Sequence, residues 1–182
     1  MHKIFGNAYE SGSLRKFQLG RTEIIRACTS DAAEFVQAMT NEKKDQLECA
    51  NLLLKAINSH RTFTNFVVNG ESFDRHLLGL RLIATENNLE IQDFYKNIAY
   101  KKLCHYYISS SQVSSKFEAV TSYGPAVDDG YGACYNILEE KLIFGLSAYK
   151  SNPETNAKQF GDHIRNALID CQNLLYKNKS KL

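Results

Sequence analysis

YISSSQVSSK, residues 107–116, sets three consecutive serines and a glutamine directly after an apolar run containing Leu103, Cys104, Tyr106, Tyr107 and Ile108. Aromatic and β-branched residues suit a pleated, half-buried surface, so the run predicts a core strand with His105 inside it. A serine cluster alone reads as a solvated loop or linker, and one that closes a buried strand needs another explanation. Hydroxyls at a strand end can donate hydrogen bonds to an oxygen that becomes negative in an acyl-transfer transition state. The stretch therefore points to a sheet and, on it, to a place to look for chemistry.

Outward from this strand, residues 103 to 149 keep short apolar runs separated by turn signals at Gly124-Pro125, Asp129-Gly130 and Glu139-Glu140, predicting three or four strands. The sequence before it reads as helical. Ala32, Phe35, Val36 and Met39 form one apolar face over 31–40 behind the capping-type Ser30 and Asp31. Leu47, Ala50, Leu54 and Ile57 mark a second helix ending near Asn69 and Gly70, where a left-handed cap fits. A third helix turns Phe73, Leu77, Leu80 and Ala84 inward. Beyond the strands, Phe160, Ile164, Ala167, Leu168, Cys171 and Leu175 stripe a closing helix behind Asn156. A helical first half, a strand-rich middle and a final helix predict an α/β or α+β layer fold, without repeats or internal linkers.

Composition narrows the function. With 182 residues, 43% hydrophobic and 23% charged, the chain is one globular domain with a real core. A net charge of +2 from 22 basic and 20 acidic residues, without long like-charge runs, does not suit a phosphate backbone, which argues against nucleic acid. Cys28, Cys49, Cys104, Cys134 and Cys171 are odd in number and lack paired short spacings, so they read as reduced, mostly buried thiols and not as a metal site. No apolar stretch is long enough to cross a bilayer and no signal-peptide pattern opens the chain, predicting a soluble intracellular protein. Residues 177–182 read as an exposed tail, ending in Ser180, Lys181 and Leu182, the tripeptide read by the peroxisomal import receptor.

Candidates for direct chemistry are few. His60, His76 and His163 fall in helical segments, His2 is terminal and His105 lies in the presumed strand, so none has the context of a general base. Ser109, Ser110 and Ser111 lack a Gly-x-Ser-x-Gly elbow and an assignable partner base, which weakens a serine-hydrolase reading.

Five collinear stretches carry a resemblance: AYESGSLRKFQLGRTE (8–23), FDRHLLGLRL (73–82), SSSQV (109–113), YGPAVDDGYGACYN (123–136) and ETNA (154–157). Together they resemble the C-terminal part of the carnitine/choline acyltransferase family, nearest to its acetyl-transferring, peroxisomal carnitine branch. The resemblance implies a chloramphenicol-acetyltransferase-like α/β domain over 1–176, one half of a two-domain enzyme. It implies transfer of a short acyl group, acetyl first, between coenzyme A and the hydroxyl of carnitine, with acyl-CoA as co-substrate and no tightly bound cofactor. The family's catalytic histidine sits in an H-x-x-x-D-G or similar motif of the N-terminal half, and this sequence lacks that motif. The chain alone is therefore expected to be inactive. The competing reading is a truncated, non-catalytic module that binds coenzyme A, carnitine or a partner.

Position by position, the resemblance makes Ser111 the oxyanion donor, with Ser109 in support and Ser110 replacing the family's usual threonine. Tyr9, Ser11 and Thr22 match carnitine-binding residues, and Arg75 matches the arginine that attracts the carnitine carboxylate. A carboxylate taken from water needs charge and several donors, which these residue types supply. Choline has no carboxylate, and choline-using members lack the arginine and threonine, so Thr22 and Arg75 imply carnitine. Ile24 departs from the pattern, standing where a hydroxyl-bearing residue is common. Tyr123 reads either as an aromatic facing the trimethylammonium group or as a core strand residue. Arg61 and Gln112 match coenzyme A contacts, although Arg61 by itself reads as a solvated helix residue. Thr121 matches the acyl-pocket position that is bulky in short-chain and glycine in longer-chain enzymes.

Overall fold

The computed structural model describes residues 6–41 and 44–180. Its centre is one mixed five-stranded sheet flanked by helices, the α/β layer arrangement expected from the sequence. Two of the strands, β1 (Ala8–Ser13) and β2 (Thr22–Arg26), precede the first helix, where the sequence had suggested a helical half. Helices α1 (Ser30–Met39), α2 (Gln46–Val68), α3 (Asp74–Glu86), α4 (Asp93–Lys96) and α5 (Ile98–Leu103) follow. Then come β3 (Ile108–Gln112), β4 (Tyr131–Ile137), β5 (Leu142–Ala148) and α6 (Ala157–Asn178). The strand order is β2-β1-β3-β4-β5, with β1, β3 and β4 parallel and both outer strands antiparallel to their neighbours.

Local chemistry sets the helix ends. The Thr29 side chain accepts from Ala32 N to start α1, one residue before the expected cap, and Asp45 does the same for Glu48 N at the start of α2. Asn156 accepts from Gln159 N to begin α6, as its position predicts. The second helix closes at Asn69, followed by Gly70 with φ at 78°, the left-handed cap that the sequence suggested. Ala38, Cys49, Ala50, Leu53 and Leu174 form the helical core, joined by Phe35, Leu52, Cys171 and Leu175, so α1 and α6 both pack on α2.

The two faces of the sheet differ. Gly12 lies on the helix-covered face, and a Cβ there would sit 2.6 Å from Val67 Cγ1, so the missing side chain is what lets α2 rest on β1. On the same face Phe160 of α6 stacks on Tyr131 of β4, with ring centroids 4.4 Å apart. On the other face the segment around Thr121 crosses the far end of the sheet. Its carbonyl oxygen lies 2.0 Å from where a Cβ on Gly145 would be, so this crossing requires glycine.

Several expectations change. The apolar run before the serines is not strand: Leu103 ends α5, Cys104 and Tyr107 are exposed, and β3 begins only at Ile108. Asn97 caps α5 by accepting from Ala99 N, which commits 98–103 to helix despite its aromatic content. His105 accordingly lies in the connection, not in the strand. The serines stand within β3 and only Gln112 ends it. Three strands occupy 103–149, with the Glu139-Glu140 turn closed by Leu138 N donating to Lys141 O at 2.9 Å. Along α3, Phe73 and Leu80 are exposed and not turned into the domain. Of the cysteines, Cys28 and Cys104 are exposed, Cys49 and Cys134 buried, and Cys171 lies between. α6 continues to Asn178, which is buried and donates to Leu174 O, so residues 177 and 178, expected in the tail, belong to the helix. Lys181, Leu182 and His2 lie outside the described residues. No helix among those described is long and apolar enough to cross a membrane.

Candidate functional site

Tyr9 of β1 lies opposite Ser109 of β3, and Glu10 opposite Ser110. Successive side chains on a strand point to opposite faces, so Tyr9, Ser11, Ser109 and Ser111 share the face away from α2 and α6. The β1–β2 register sets Ile24 opposite Ser11 and Thr22 opposite Ser13, adding Thr22 to this group. Ser109 is almost fully buried, whereas Ser111 is partly accessible. Ser110 points the other way, and its hydroxyl donates to Tyr9 O at 3.1 Å, tying β3 to β1. Ile24 is buried beside Ser11 as part of the core.

Arg75 reaches the group from α3. Its Nε donates to Thr22 O at 3.0 Å and a terminal nitrogen approaches Thr22 Oγ1 at 3.4 Å, so the two residues that imply carnitine stand side by side. The start of α3 has no side-chain cap of its own. Instead Glu23, buried on β2, accepts from Arg75 N at 3.2 Å and from Ile24 N at 2.8 Å. A carboxylate at a helix N-terminus meets unpaired N–H groups and the positive end of the dipole, so Glu23 pins α3 where Arg75 meets Thr22.

A second anchor joins the same two elements, three residues on along β2 and one residue back on α3. Arg26 of β2 makes two hydrogen bonds to Asp74, at 3.1 and 2.5 Å, donates to Leu103 O at 3.1 Å and lies 3.2 Å from the Tyr106 hydroxyl. Its guanidinium lies over the rings of Phe73 and Tyr106, 5.5 and 5.6 Å from their centroids. Burial opposes its charge, but the Asp74 hydrogen bond together with the attraction of Tyr106, Asp74 and Cys104 outweighs it and raises its pKa. Tyr106 in turn meets the ring of Tyr9 edge-on, with centroids 4.7 Å apart. Burial pushes the Tyr106 phenol up to about 12.

Tyr123 is half-buried, outside any strand, and its hydroxyl donates to Ser109 O at 2.9 Å with Ala133 O a second acceptor at 3.2 Å. It thereby spans β3 and β4 above the serines, and burial pushes its phenol up to about 12. Thr121 lines a small recess with Val113, Ala119, Cys134, Ile143 and Gly145. Arg61 is exposed on α2. Gln112 lies opposite Tyr135 in the β3–β4 register, on the face away from Ser111, so neither of the expected coenzyme A contacts joins the main group. His105 is better connected than its sequence context suggested: its Nε2 lies 2.8 Å from Asp129 Oδ1, just before β3 and at the other end of it from Ser111.

Sequence reasoning missed Glu23, Arg26, Asp74 and Tyr106. The one local signal was TEIIR, an apolar pair bracketed by opposite charges, which marks a buried strand with ionic ends.

This is an α/β domain with hydroxyls and a phenol on one sheet face and an exposed guanidinium reaching them from α3, the donor set for a small polar or anionic ligand. A family model described as choline/carnitine O-acyltransferase matches residues 1–166. Carnitine O-acetyltransferases of Rattus norvegicus and Homo sapiens are each 43% identical over 177 residues, 96% of this chain and 28% of theirs. A choline O-acetyltransferase of Danio rerio is 38% identical over 170 residues, 93% of this chain and 27% of its own. The chain belongs to the choline/carnitine O-acyltransferase family. It spans less than a third of the length of these relatives.

Proposed function

We propose that this chain is the carnitine-binding, oxyanion-stabilising part of an enzyme that moves a short acyl group, acetyl first, between coenzyme A and carnitine. The pairing of Arg75 with Thr22, beside Tyr9, Ser11 and the β3 serines, carries the reading. Arg75 and Thr22 receive the carboxylate, Tyr9 and Ser11 line the same pocket, and Tyr123 closes it above Ser109. A histidine from the rest of the protein removes the proton from the carnitine hydroxyl. The oxygen attacks the thioester carbonyl, and Ser111 donates to the oxyanion of the tetrahedral intermediate, with Ser109 supporting the strand beneath. Collapse breaks the carbon–sulfur bond, and the histidine returns its proton to the leaving thiolate. Arg61 and Gln112 contact coenzyme A at the margin of the site, and Thr121 limits the acyl chain.

One further observation fits an assembly with a larger partner half. Ile83, Leu89, Phe94 and Ile98 are 57%, 61%, 51% and 65% exposed, apolar surface of the kind that another part of a protein covers. Ser180, exposed beyond α6, begins the tripeptide that would address the enzyme to the peroxisome.

The test is Arg75→Asn in the full-length protein. Removing a charge partner that is present in ground and transition states alike raises the carnitine KM, on the order of ten- to a hundredfold, with kcat little changed. Choline use, which needs no carboxylate clamp, suffers little. Equal losses for both substrates would make Arg75 structural and overturn the carnitine reading.

A further inference from the structure

We infer that Arg26 is a positioning residue that holds the two walls of the proposed carnitine pocket at a fixed separation; the inference rests on that pocket's assignment. One wall is Arg75 on α3, next in sequence to Asp74, and the other is the ring of Tyr9 on β1. Arg26 links them. Its fork takes both oxygens of Asp74 through Nε and Nη2, fixing the first turn of α3, while the same Nη2 lies within reach of the Tyr106 hydroxyl and the guanidinium sits over the Phe73 and Tyr106 rings. Tyr106 passes the constraint on through its edge contact with Tyr9. The Leu103 carbonyl, which also accepts from Arg26, ties in the end of α5.

The ion pair is well placed to act as a spacer. Its side chains are 15% and 8% exposed, so solvent does little to screen or loosen it. A planar fork with two parallel hydrogen bonds also fixes orientation, which a single ammonium cannot do. Glu23 grips the same helix turn through Arg75 N, but from the β2 backbone side and without a link to Tyr9. Of the two, it is Arg26 that reaches the Tyr9 ring, through Tyr106.

Arg26→Lys in the full-length protein keeps the charge and removes the fork. The expected result is a carnitine KM raised about tenfold, the equivalent of roughly 1.4 kcal/mol, with acyl-CoA KM within twofold of the parent. Tyr106→Phe, which keeps the ring against Tyr9 and removes only the hydroxyl, is expected to fall between parent and Arg26→Lys. A thermal midpoint is measured for each. If Arg26→Lys lowers the midpoint and shifts both KM values equally, or shifts neither, the residue is merely structural and the inference is overturned. Arg75→Asn is run alongside. If it raises the carnitine KM while Arg26→Lys does not, the positioning role alone fails. If Arg75→Asn also leaves that KM unchanged, the pocket assignment fails and takes the inference with it.

Discussion

Ser109, Ser110 and Ser111 are adjacent in sequence yet meet three surroundings, because a strand sends neighbours to opposite sides. Ser109 is buried beneath the Tyr123 hydroxyl, Ser110 bonds back to β1, and Ser111 remains partly accessible on the site face. Ser111→Ala is expected to lower kcat about a hundred- to a thousandfold with little change in carnitine KM, the penalty for losing one preorganised oxyanion donor. Ser110→Ala forfeits one hydrogen bond on the far face and is expected to cost about 1 kcal/mol of stability and little activity. Steady-state kinetics of the two variants decide the matter. If Ser110→Ala is the more damaging, or Ser111→Ala changes only KM, the donor lies elsewhere. The hydroxyl run could be read from sequence because it is contiguous. The Arg26–Asp74 pair could not, since 48 residues separate partners that meet only after folding.

The helices were easier to read than the strands for a related reason. The capping residues Thr29, Asp45 and Asn156 lie within three residues of the groups they satisfy, so α1, α2 and α6 announce their own starts. AYESGS carries no alternating apolar signal, and β1 owes its strand state to partners on both sides, which no local window contains. The misplaced strand start at 103 has the opposite cause, aromatic residues that suit a sheet but pack from the connection before β3, Tyr106 edge-on to Tyr9 at 4.7 Å and Tyr107 to His105 at 4.6 Å. Gly12 gives the sheet–helix contact a direct test. Gly12→Ala sets a methyl group against buried Val67 and is expected to cost about 1–3 kcal/mol by overpacking. Val67→Ala makes room, so the double variant is expected to lose less than the sum of the singles in denaturant titrations. Additive losses would mean that α2 does not rest on β1 here.

Across the molecule, alkaline stability should follow the half-buried phenols, Tyr106 and Tyr123 among them; burial also raises the pKa of Tyr135, whose hydroxyl meets Glu10. Tyr106 and Tyr123 ionise at about 12 in the fold, above their ordinary value of 10.0, with burial as the first cause in both. The unfolded chain loses these protons first as pH rises, so stability is intact below about pH 10 and falls between there and about pH 12. Partial exposure limits each contribution to about 2 kcal/mol or less. Tyr106→Phe and Tyr123→Phe are each expected to flatten the decline in that window, read from denaturation midpoints at stepped pH; parallel curves for parent and variants would refute it. The sheet also has a consequence in time. Tyr9 and Ser109, the neighbours at the centre of the proposed site, are separated along the chain by β2 and helices α1 to α5. Bringing β1 to β3 must wait for that long loop to close, and non-local pairings of this kind are slow. On a ribosome, β1 emerges before β3 and waits for it with its inner edge unpaired. The site is thus among the last parts of the domain to exist, and a nascent chain interrupted before residue 108 would hold the β1–β2 pair and helices but no place for a substrate.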